Sequence, residues 1–430
     1  MTDSEAAAAA RQQAEKDLEG LPLFVEPIDR AAARERIGIE EFLRPLSTSD
    51  FLRDYYGRSL LHLEGESKRW ESVFGWPELN TILSSHRLSA PQLRLVREGV
   101  VIDETSYSEA FASRRGERFR RLEAGRVAEL LRSGATLVLH AADDLAPSLS
   151  DLARRVEHFI KAPATVNVYA TWGAAEGFNV HWDDHDVFAV QIAGSKRWQI
   201  FAPTLSWPLE GDAEPAQPPE SPPVAEVLLD SGHLLYLPHG WWHVANTEDS
   251  PSLHLTIGVR PPSGSDLLNY VVARLRQHDQ VRRRLPRFEA EGSVEEYVSA
   301  LADLVGKTLN VQSLHDYLRY LDSQEPSRLA VSLPYSVEET AGQSVPADAT
   351  LAFLAPTAVL EEFPDRVVLH ATGRKWTFRP PVVAPLIRYL SDADGFTVDA
   401  LLRVRDQDLS DAQVRALVGA LIKAGIVGVV

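Results

Sequence analysis

The 430-residue chain contains no cysteine. The absence of thiols excludes disulfide bonds, thiolate metal ligands and cysteine nucleophiles. The chain also lacks an apolar run long enough to cross a bilayer, and its first residues do not show a signal-peptide pattern. Together these absences favour a cytoplasmic protein that does not enter a membrane.

Basic residues are fewer than acidic ones. Lys and Arg total 44 against 61 Asp and Glu, which gives a net charge of −17. Such a balance disfavours general binding to a phosphate backbone and favours a basic partner. We therefore do not expect nucleic-acid binding, and we interpret the run Arg282–Arg284 as a solvated helix face.

The chain is too long for one ordinary core, so several domains are expected. Residues 1–34 are polar and Ala-rich and are predicted to be a frayed helix or a disordered leader. Residues 35–262 hold the densest strand signals, and many short strands separated by Gly and Pro turns indicate a sandwich or barrel. The Pro-rich segment 207–223 is predicted to be a long exposed loop within this region.

The remaining sequence is mainly helical. Residues 263–330 have apolar residues at helical spacing. Residues 345–430 combine helical segments with small flanking strands, which suggests a winged-helix-like fold. The last helix is predicted to end near Gly425.

The chemistry-bearing feature is His181-Trp182-Asp183, followed much later by His243 in "LLYLPHGWWH". Residues at i and i+2 of an extended segment face the same side, and a strand is predicted over 178–188. An imidazole from a distant strand would complete a 2-His-1-carboxylate set, which is typical of non-haem Fe(II) oxygenases. Asp184 has the wrong parity for this set, whereas His185 shares the parity of His181 and is a competing candidate.

An H-x-D pair alone is common and fits a polar strand face equally well. The neighbouring residues strengthen the metal interpretation: N-x-Y, then H-x-D-x-H-D-V-F, then Q-x-x-G-x-K-x-W, then L-Y-x-P-x-G-W-W-H. In this combination the chain resembles the Jumonji-C-type cupin oxygenases, and within them the ribosomal oxygenases, which are 2-oxoglutarate-dependent protein hydroxylases. The resemblance implies a mainly β double-stranded β-helix core over 35–262, a helical dimerisation region over 263–330 and a C-terminal winged-helix-like domain over 345–430.

The same resemblance implies roles for individual residues. It implies that His181, Asp183 and His243 bind Fe(II), and that Lys196 pairs with the distal carboxylate of the cosubstrate 2-oxoglutarate. A buried carboxylate needs a cation and hydrogen-bond donors, which is the physical reason for such a lysine. Tyr169 would donate its hydroxyl to that carboxylate. Further pocket residues implied by the resemblance or by strand parity are Asn167, near the metal or the cosubstrate, and Thr256 or His254.

The implied activity is hydroxylation of a protein side chain with Fe(II), 2-oxoglutarate and O2, by a homodimer in the cytoplasm. A basic ribosomal protein is the expected substrate, and the acidic composition suits such a partner. Alternatives remain open: a hydroxylase that tailors a peptide natural product, a lysine demethylase with the same iron chemistry, or a cupin that has lost catalysis and serves as a scaffold.

Overall fold

The computed structural model describes residues 39–112, 114–116, 118–172, 179–209, 211–212, 219–247, 251–338, 341–379, 381–393 and 395–430. The predicted leader, residues 1–34, lies outside the described residues. The described chain divides into two compact units, one formed by residues 37–261 and one that contains residues 262–430. In the part of the chain that is described, no helix is both long and apolar enough to span a bilayer.

The first unit is built mainly of antiparallel strands. Its strands are β1 Leu61–Leu63, β2 Leu93–Arg97, β3 Val100–Val101, β4 Ser108–Ala112, β5 Arg118–Leu122, β6 Thr136–Leu139, β7 Ala164–Thr171, β8 Asp186–Ala193, β9 Ser195–Phe201, β10 Ala225–Asp230, β11 Leu234–Leu237, β12 Trp242–Thr247 and β13 Ser252–Val259. A major sheet has the order β1-β11-β8-β13-β7-β6-β2-β3, a minor sheet has the order β10-β9-β12, and β4 pairs with β5 in a hairpin.

Alternation along the strands gives the major sheet two different faces. On one face, residues such as Val168 and Leu255 join a large apolar core. On the other face, Ala189 and Leu235 pack with Trp198 of the minor sheet in a smaller core. The helices of this unit are α1 Ile39–Leu43, α2 Thr48–Asp50, α3 Trp76–Ser85, α4 Ala124–Arg132 and α5 Pro147–Ile160.

Helix α5 carries apolar residues at helical spacing on its buried face. Leu149, Leu152 and Val156 are buried in the large core. Pro147 lies in the first turn, where backbone N–H groups have no partner within the helix, so the N–H that proline lacks is not needed. The sequence pattern did not reveal α3, α4 and the strands β2 to β5. The β5 segment "RFRRL" shows why, because its arginines obscure the apolar alternation that marks a half-buried strand.

The second unit is mainly helical in its first part. Its helices are α6 Gly264–Leu275, α7 Asp279–Arg282, α8 Glu291–Thr308, α9 Val311–Gln324, α10 Ala341–Ser344, α11 Ala384–Asp392, α12 Val398–Val404 and α13 Asp411–Lys423. Its strands are β14 Leu351–Phe353, β15 Val359–Phe363, β16 Arg366–Ala371, β17 Arg374–Phe378 and β18 Val427–Val429.

Helix α13 ends as predicted. Gly425 has φ +69°, the left-handed conformation that commonly follows the last helical turn, and the apolar stripe from Val414 to Ile422 is buried. The chain then enters β18, which pairs with β14. That strand was not predicted, because its three residues are too few to show a pattern.

Candidate functional site

His181 and His243 lie side by side. They form an isolated β-bridge in which the His243 N–H donates to the His181 carbonyl over 2.7 Å and the His181 N–H donates to the His243 carbonyl over 3.1 Å. Their ring centroids are 4.5 Å apart. A pair of backbone hydrogen bonds therefore brings together two imidazoles that are distant in the chain.

Asp183 completes the cluster. Its Oδ2 lies 3.6 Å from Nε2 of His243, and one ligand atom from each of the three residues lies within 4.8 Å of the others. Two imidazole nitrogens and one carboxylate oxygen at this separation can share one divalent ion. The donor set is the one that non-haem Fe(II) sites use, with coordination positions left over.

Both imidazoles are held in the tautomer that a metal requires. Nδ1 of His181 is 2.8 Å from the Asn179 carbonyl, and Nδ1 of His243 is 3.0 Å from the Trp241 carbonyl. A carbonyl only accepts, so each Nδ1 carries the proton and each Nε2 keeps a free lone pair. Burial, with a smaller contribution from His181, lowers the pKa of His243 to about 4, so this ring is neutral at physiological pH.

The backbone that carries Asp183 is not the predicted strand. Strand β8 begins only at Asp186, and the residues between His181 and Asp186 are irregular, so the prediction of a strand over 178–188 is wrong there. Asp183 is instead fixed by a tertiary contact, in which the Gly240 N–H donates to the Asp183 carbonyl over 2.8 Å. Gly240 has φ +81°, and a Cβ there would lie 2.8 Å from Cδ of Pro208, so only glycine fits this turn.

Asp186 connects the two segments that carry the three residues. It is fully buried and accepts hydrogen bonds from the Tyr236 hydroxyl at 2.5 Å, from the His239 N–H at 3.0 Å and from Nδ1 of His239 at 2.7 Å. Asp186 follows the His181–Asp183 segment, and His239 lies in the turn before His243. The carboxylate therefore holds the two segments in register.

His185 is not part of the cluster. Its Nδ1 is 3.0 Å from Asp184, and Asp184 in turn accepts from Arg260 at 2.8 Å. The His185 ring packs over Gly258, where a Cβ would approach it to 2.8 Å. The competing candidate is thus a packing and hydrogen-bonding residue, and Asp184 pairs with Arg260 instead of joining the cluster.

Lys196 lies on β9 in the interior of the unit. It is only 5% exposed, and burial lowers its pKa to about 7. Within the described residues no carboxylate lies at ion-pair distance from it. A cation in such surroundings is destabilised unless an anion accompanies it, so Lys196 is suited to pair with the carboxylate of a ligand.

The remaining predicted residues share one face of the major sheet. Tyr169 on β7 is opposite His254 on β13, with their rings stacked 4.7 Å apart, and Asn167 is opposite Thr256. Burial raises the pKa of Tyr169, whereas hydrogen bonds with the side chains of Thr256 and Asn167 act in the opposite direction. Burial and the charge of Lys196 keep the pKa of His254 well below its usual value. Tyr169 and His254 are therefore both neutral.

Trp198 contacts both His243 of the metal cluster and His254 on β13. Its ring stacks on His243 with centroids 5.7 Å apart and meets His254 edge-on at 6.1 Å. It comes two residues after Lys196 on β9, so the same alternation points both side chains to the interior. The sequence motif contained this tryptophan, but no role was predicted for it.

Arg94 and His140 border the site and were missed by sequence reasoning. Their side chains are hydrogen-bonded to each other, and burial followed by the charge of Arg94 lowers the pKa of His140. His140 also contacts the side chain of Asn167, whose Oδ1 accepts from the Ala141 N–H over 3.2 Å. Arg94 lies on β2, one of the strands without a sequence signal.

Residues 139–267 match the family model of the JmjC domain. The chain is 29% identical over 221 residues to the bifunctional lysine-specific demethylase and histidyl-hydroxylase NO66 of Drosophila persimilis, a match that covers 51% of this chain and 31% of that protein. It is 27% identical over 246 residues to ribosomal oxygenase 1 of Gallus gallus, covering 55% of this chain and 39% of that protein. The chain thus spans less than half the length of these curated relatives.

Among solved structures, the fold is similar to that of the Escherichia coli ribosomal oxygenase YcfD, with a TM-score of 0.57, 16% identity, and coverage of 89% of this chain and 98% of that one. A structure of YcfD with cobalt and 2-oxoglutarate matches with a TM-score of 0.55 and 17% identity. These likenesses confirm the cupin part of the predicted fold. The chain is thus similar to the JmjC domain family over residues 139–267, the region that carries His181, Asp183 and His243.

Proposed function

We propose that this chain is an Fe(II)- and 2-oxoglutarate-dependent oxygenase that hydroxylates a protein side chain in the cytoplasm. One observation carries the proposal. Three ligand atoms converge within 4.8 Å, and the same site contains a buried lysine whose charge no described carboxylate neutralises. A metal-binding end and a carboxylate-binding end in one site match the two ends of a small keto diacid.

The residues at each end fit these groups. His181, Asp183 and His243 would hold Fe(II), which supplies activation of O2 coupled to the oxidation of 2-oxoglutarate to succinate. Lys196 would neutralise the far carboxylate, and Tyr169 would donate its hydroxyl to it. Thr256 and Asn167 would keep the Tyr169 hydroxyl in position.

The walls of the site would protect the chemistry from water. Trp198 and His254 are buried between the metal-binding end and Lys196. Because neither is charged, they lower the local dielectric and strengthen the pairing of Lys196 with an anion. The Asn179 and Trp241 carbonyls keep both imidazoles oriented with Nε2 toward the metal.

For the substrate we propose a ribosomal protein. The names of the relatives, ribosomal oxygenase and histidyl-hydroxylase, support this choice, as does the acidic composition, which attracts a basic protein. Lysine demethylation is a second candidate, because the name of the Drosophila relative includes that activity as well. Both reactions begin with the same attack on a C–H bond.

We further propose that residues 35–262 form the catalytic domain, residues 263–330 a dimerisation region and residues 345–430 a winged-helix-like domain. Exposed apolar side chains on the helices of the middle region support dimerisation. Leu268 and Val272 on α6 and Val298 on α8 are 48%, 48% and 56% exposed. Light scattering of the full chain should give the mass of a dimer, and replacement of Leu268 and Val272 by Ser should shift it to the monomer.

Mass spectrometry of ribosomal proteins from wild-type and deletion cells tests the function. We expect one ribosomal protein to carry the mass of one extra oxygen atom in wild-type cells only. A methyl group that persists on lysine in deletion cells would favour demethylation instead. Turnover of 2-oxoglutarate with no change in any ribosomal protein would favour the peptide-tailoring alternative, and no turnover under any condition would favour the scaffold alternative.

A further inference from the structure

The first unit has a large cleft on the side of the major sheet that faces away from the candidate site. Its volume is about 1020 Å³, and it lies between α3, α4 and the β4–β5 hairpin. Leu137 and Ala170 form part of its floor. Ala170 alternates with Tyr169 along β7, so the cleft and the candidate site lie on opposite faces of the same strand.

The walls of this cleft are apolar and aromatic. Trp76 and Trp172 line one side, with ring centroids 5.1 Å apart, and both are only partly buried. Leu83, Leu131 and Phe119 line the remaining walls and are also partly exposed to solvent. An apolar surface of this kind on a protein unit marks a place where another molecule binds.

The rim of the cleft is positively charged. Arg87, Arg120, Arg121 and Arg132 line it, whereas no Asp or Glu is among the described residues that do so, although acidic residues outnumber basic ones in the chain. Cζ of Arg87 lies 4.5 Å from the centroid of the Phe119 ring, and Nε of Arg120 donates a hydrogen bond to the Ser108 hydroxyl over 2.8 Å. In the described part of the chain, none of these four arginines forms an ion pair with a carboxylate.

We propose that this cleft binds an acidic segment of another protein, with bulky apolar side chains in the cleft and carboxylates against the arginine rim. Charge complementarity carries the choice of partner, because the rim is a local positive region on a strongly acidic chain. A basic ribosomal substrate would be repelled here, so the acidic partner is a different protein from the proposed substrate.

A peptide fits this cleft better than a nucleic acid does. Single-stranded nucleic acids stack their bases on open aromatic faces along a positive groove. Here the Trp76 and Trp172 rings pack against each other with an angle of 44° between their planes, and leucine and valine side chains form much of the remaining wall. Such a wall accommodates aliphatic and aromatic side chains rather than a row of bases.

The test is affinity selection of displayed random 12-residue peptides on the immobilised full chain, followed by fluorescence anisotropy of the enriched peptides. We expect enriched sequences to combine at least two carboxylates with bulky apolar residues. Arg121→Glu with Arg132→Glu should weaken their binding by more than about tenfold, since each reversal replaces attraction by repulsion. The matched control, Arg282→Glu with Arg284→Glu, makes the same charge change at exposed positions in the second unit and should leave binding unchanged.

A second variant, Leu83→Gln, tests the apolar wall and should also weaken binding of the enriched peptides. Metal affinity of every variant should match the wild type, because the cleft faces away from the candidate site, and thermal unfolding checks that each variant is folded. Leu83 packs against the large core, so some loss of stability is expected in Leu83→Gln. The proposal is overturned if enriched peptides are neutral or basic, or if they bind the Arg121 and Arg132 double variant as tightly as the wild type. It is also overturned, in favour of a nucleic acid, if a labelled single-stranded RNA binds more tightly than the peptides and loses binding in that double variant.

Discussion

The two ends of the candidate site are built in different ways. At the end with Lys196, Tyr169 and Thr256, each side chain stands on a regular strand, and cross-strand register decides its neighbours. At the end with His181 and Asp183, the backbone is irregular and is held by tertiary hydrogen bonds from the turn at Gly240. Regular strands thus supply a rigid, buried end, whereas the metal-binding end depends on contacts between two separate segments.

This difference leads to different sensitivities. A change on a regular strand should alter one interaction and leave the rest of the site in place. A change among the contacts that hold the irregular segment should move a metal-binding residue and reduce metal affinity. The following variants separate these cases.

Removal of a metal-binding residue should have the largest effect. In Asp183→Ala the metal loses the only carboxylate ligand that the described residues offer it. Metal affinity should therefore fall by more than the roughly 10- to 100-fold that loss of a hydrogen-bonding partner of a ligand costs. Succinate formation should be abolished. The control Asp184→Ala changes the neighbouring aspartate, which faces Arg260, and should keep most of the activity. Retained turnover in Asp183→Ala would refute the metal cluster.

Lys196→Ala should have the next largest effect. Loss of one partner from a buried charge pair costs about 2–5 kcal/mol, which corresponds to a rise in the dissociation constant for 2-oxoglutarate of roughly 30-fold or more. Metal affinity should stay unchanged, because Lys196 belongs to the rigid end. Calorimetric titration measures both quantities. Arg197→Ala, the exposed neighbour on the same strand, serves as the control, and equal 2-oxoglutarate affinities in the two variants would remove Lys196 from the site.

Asp186→Asn should lower metal affinity although it replaces none of the three metal-binding residues. The amide cannot accept all three hydrogen bonds and carries no charge, so we expect about 2–3 kcal/mol less free energy of unfolding and about tenfold weaker metal binding. The exposed Asp230→Asn on β10 is the matched control. If Asp186→Asn lost stability but kept full metal affinity, the Asp186 carboxylate would stabilise the fold without positioning the metal-binding residues.

The pH dependence of 2-oxoglutarate binding should report on the rigid end. Burial lowers the pKa of Lys196 to about 7, and an anion beside it would raise that pKa. Below pH 7 the ammonium is already present and affinity is constant. Above pH 7 binding must take up a proton, so the apparent dissociation constant should rise by up to about tenfold per pH unit. A profile of the same shape in Lys196→Ala would assign the effect to another group.

The contrast between the two ends also explains what the sequence could reveal. Strand parity placed Asn167 on the same face as Tyr169, and Thr256 on the same face as His254, because alternation on a regular strand is a local property. The resemblance implied that the two strands share one pocket. The irregular backbone at Asp183 depends on Gly240, a partner far along the chain, and no local pattern encodes that contact. The three residues were found from the motif, whereas the strand predicted over 178–188 begins only at Asp186 and does not align His181 with Asp183.

Residues whose roles arise only in three dimensions escaped prediction. Arg94 lies on β2, a strand that was not predicted, and His140 lies directly after β6. The function of Asp186 becomes visible only once its hydrogen bonds to Tyr236 and His239 are known. The arginine-rimmed cleft is a further example, since its walls come from helices and a hairpin that the sequence pattern did not show.

The most direct test of the central claim is an anaerobic titration of the Fe(II)-loaded protein with 2-oxoglutarate, followed by the visible absorption of the iron–keto-acid chelate. We predict a band that saturates at one equivalent in the wild type, is absent in Asp183→Ala, and needs much higher 2-oxoglutarate concentrations in Lys196→Ala. A wild-type protein without the band, or a Lys196→Ala variant with the wild-type titration curve, would contradict the account.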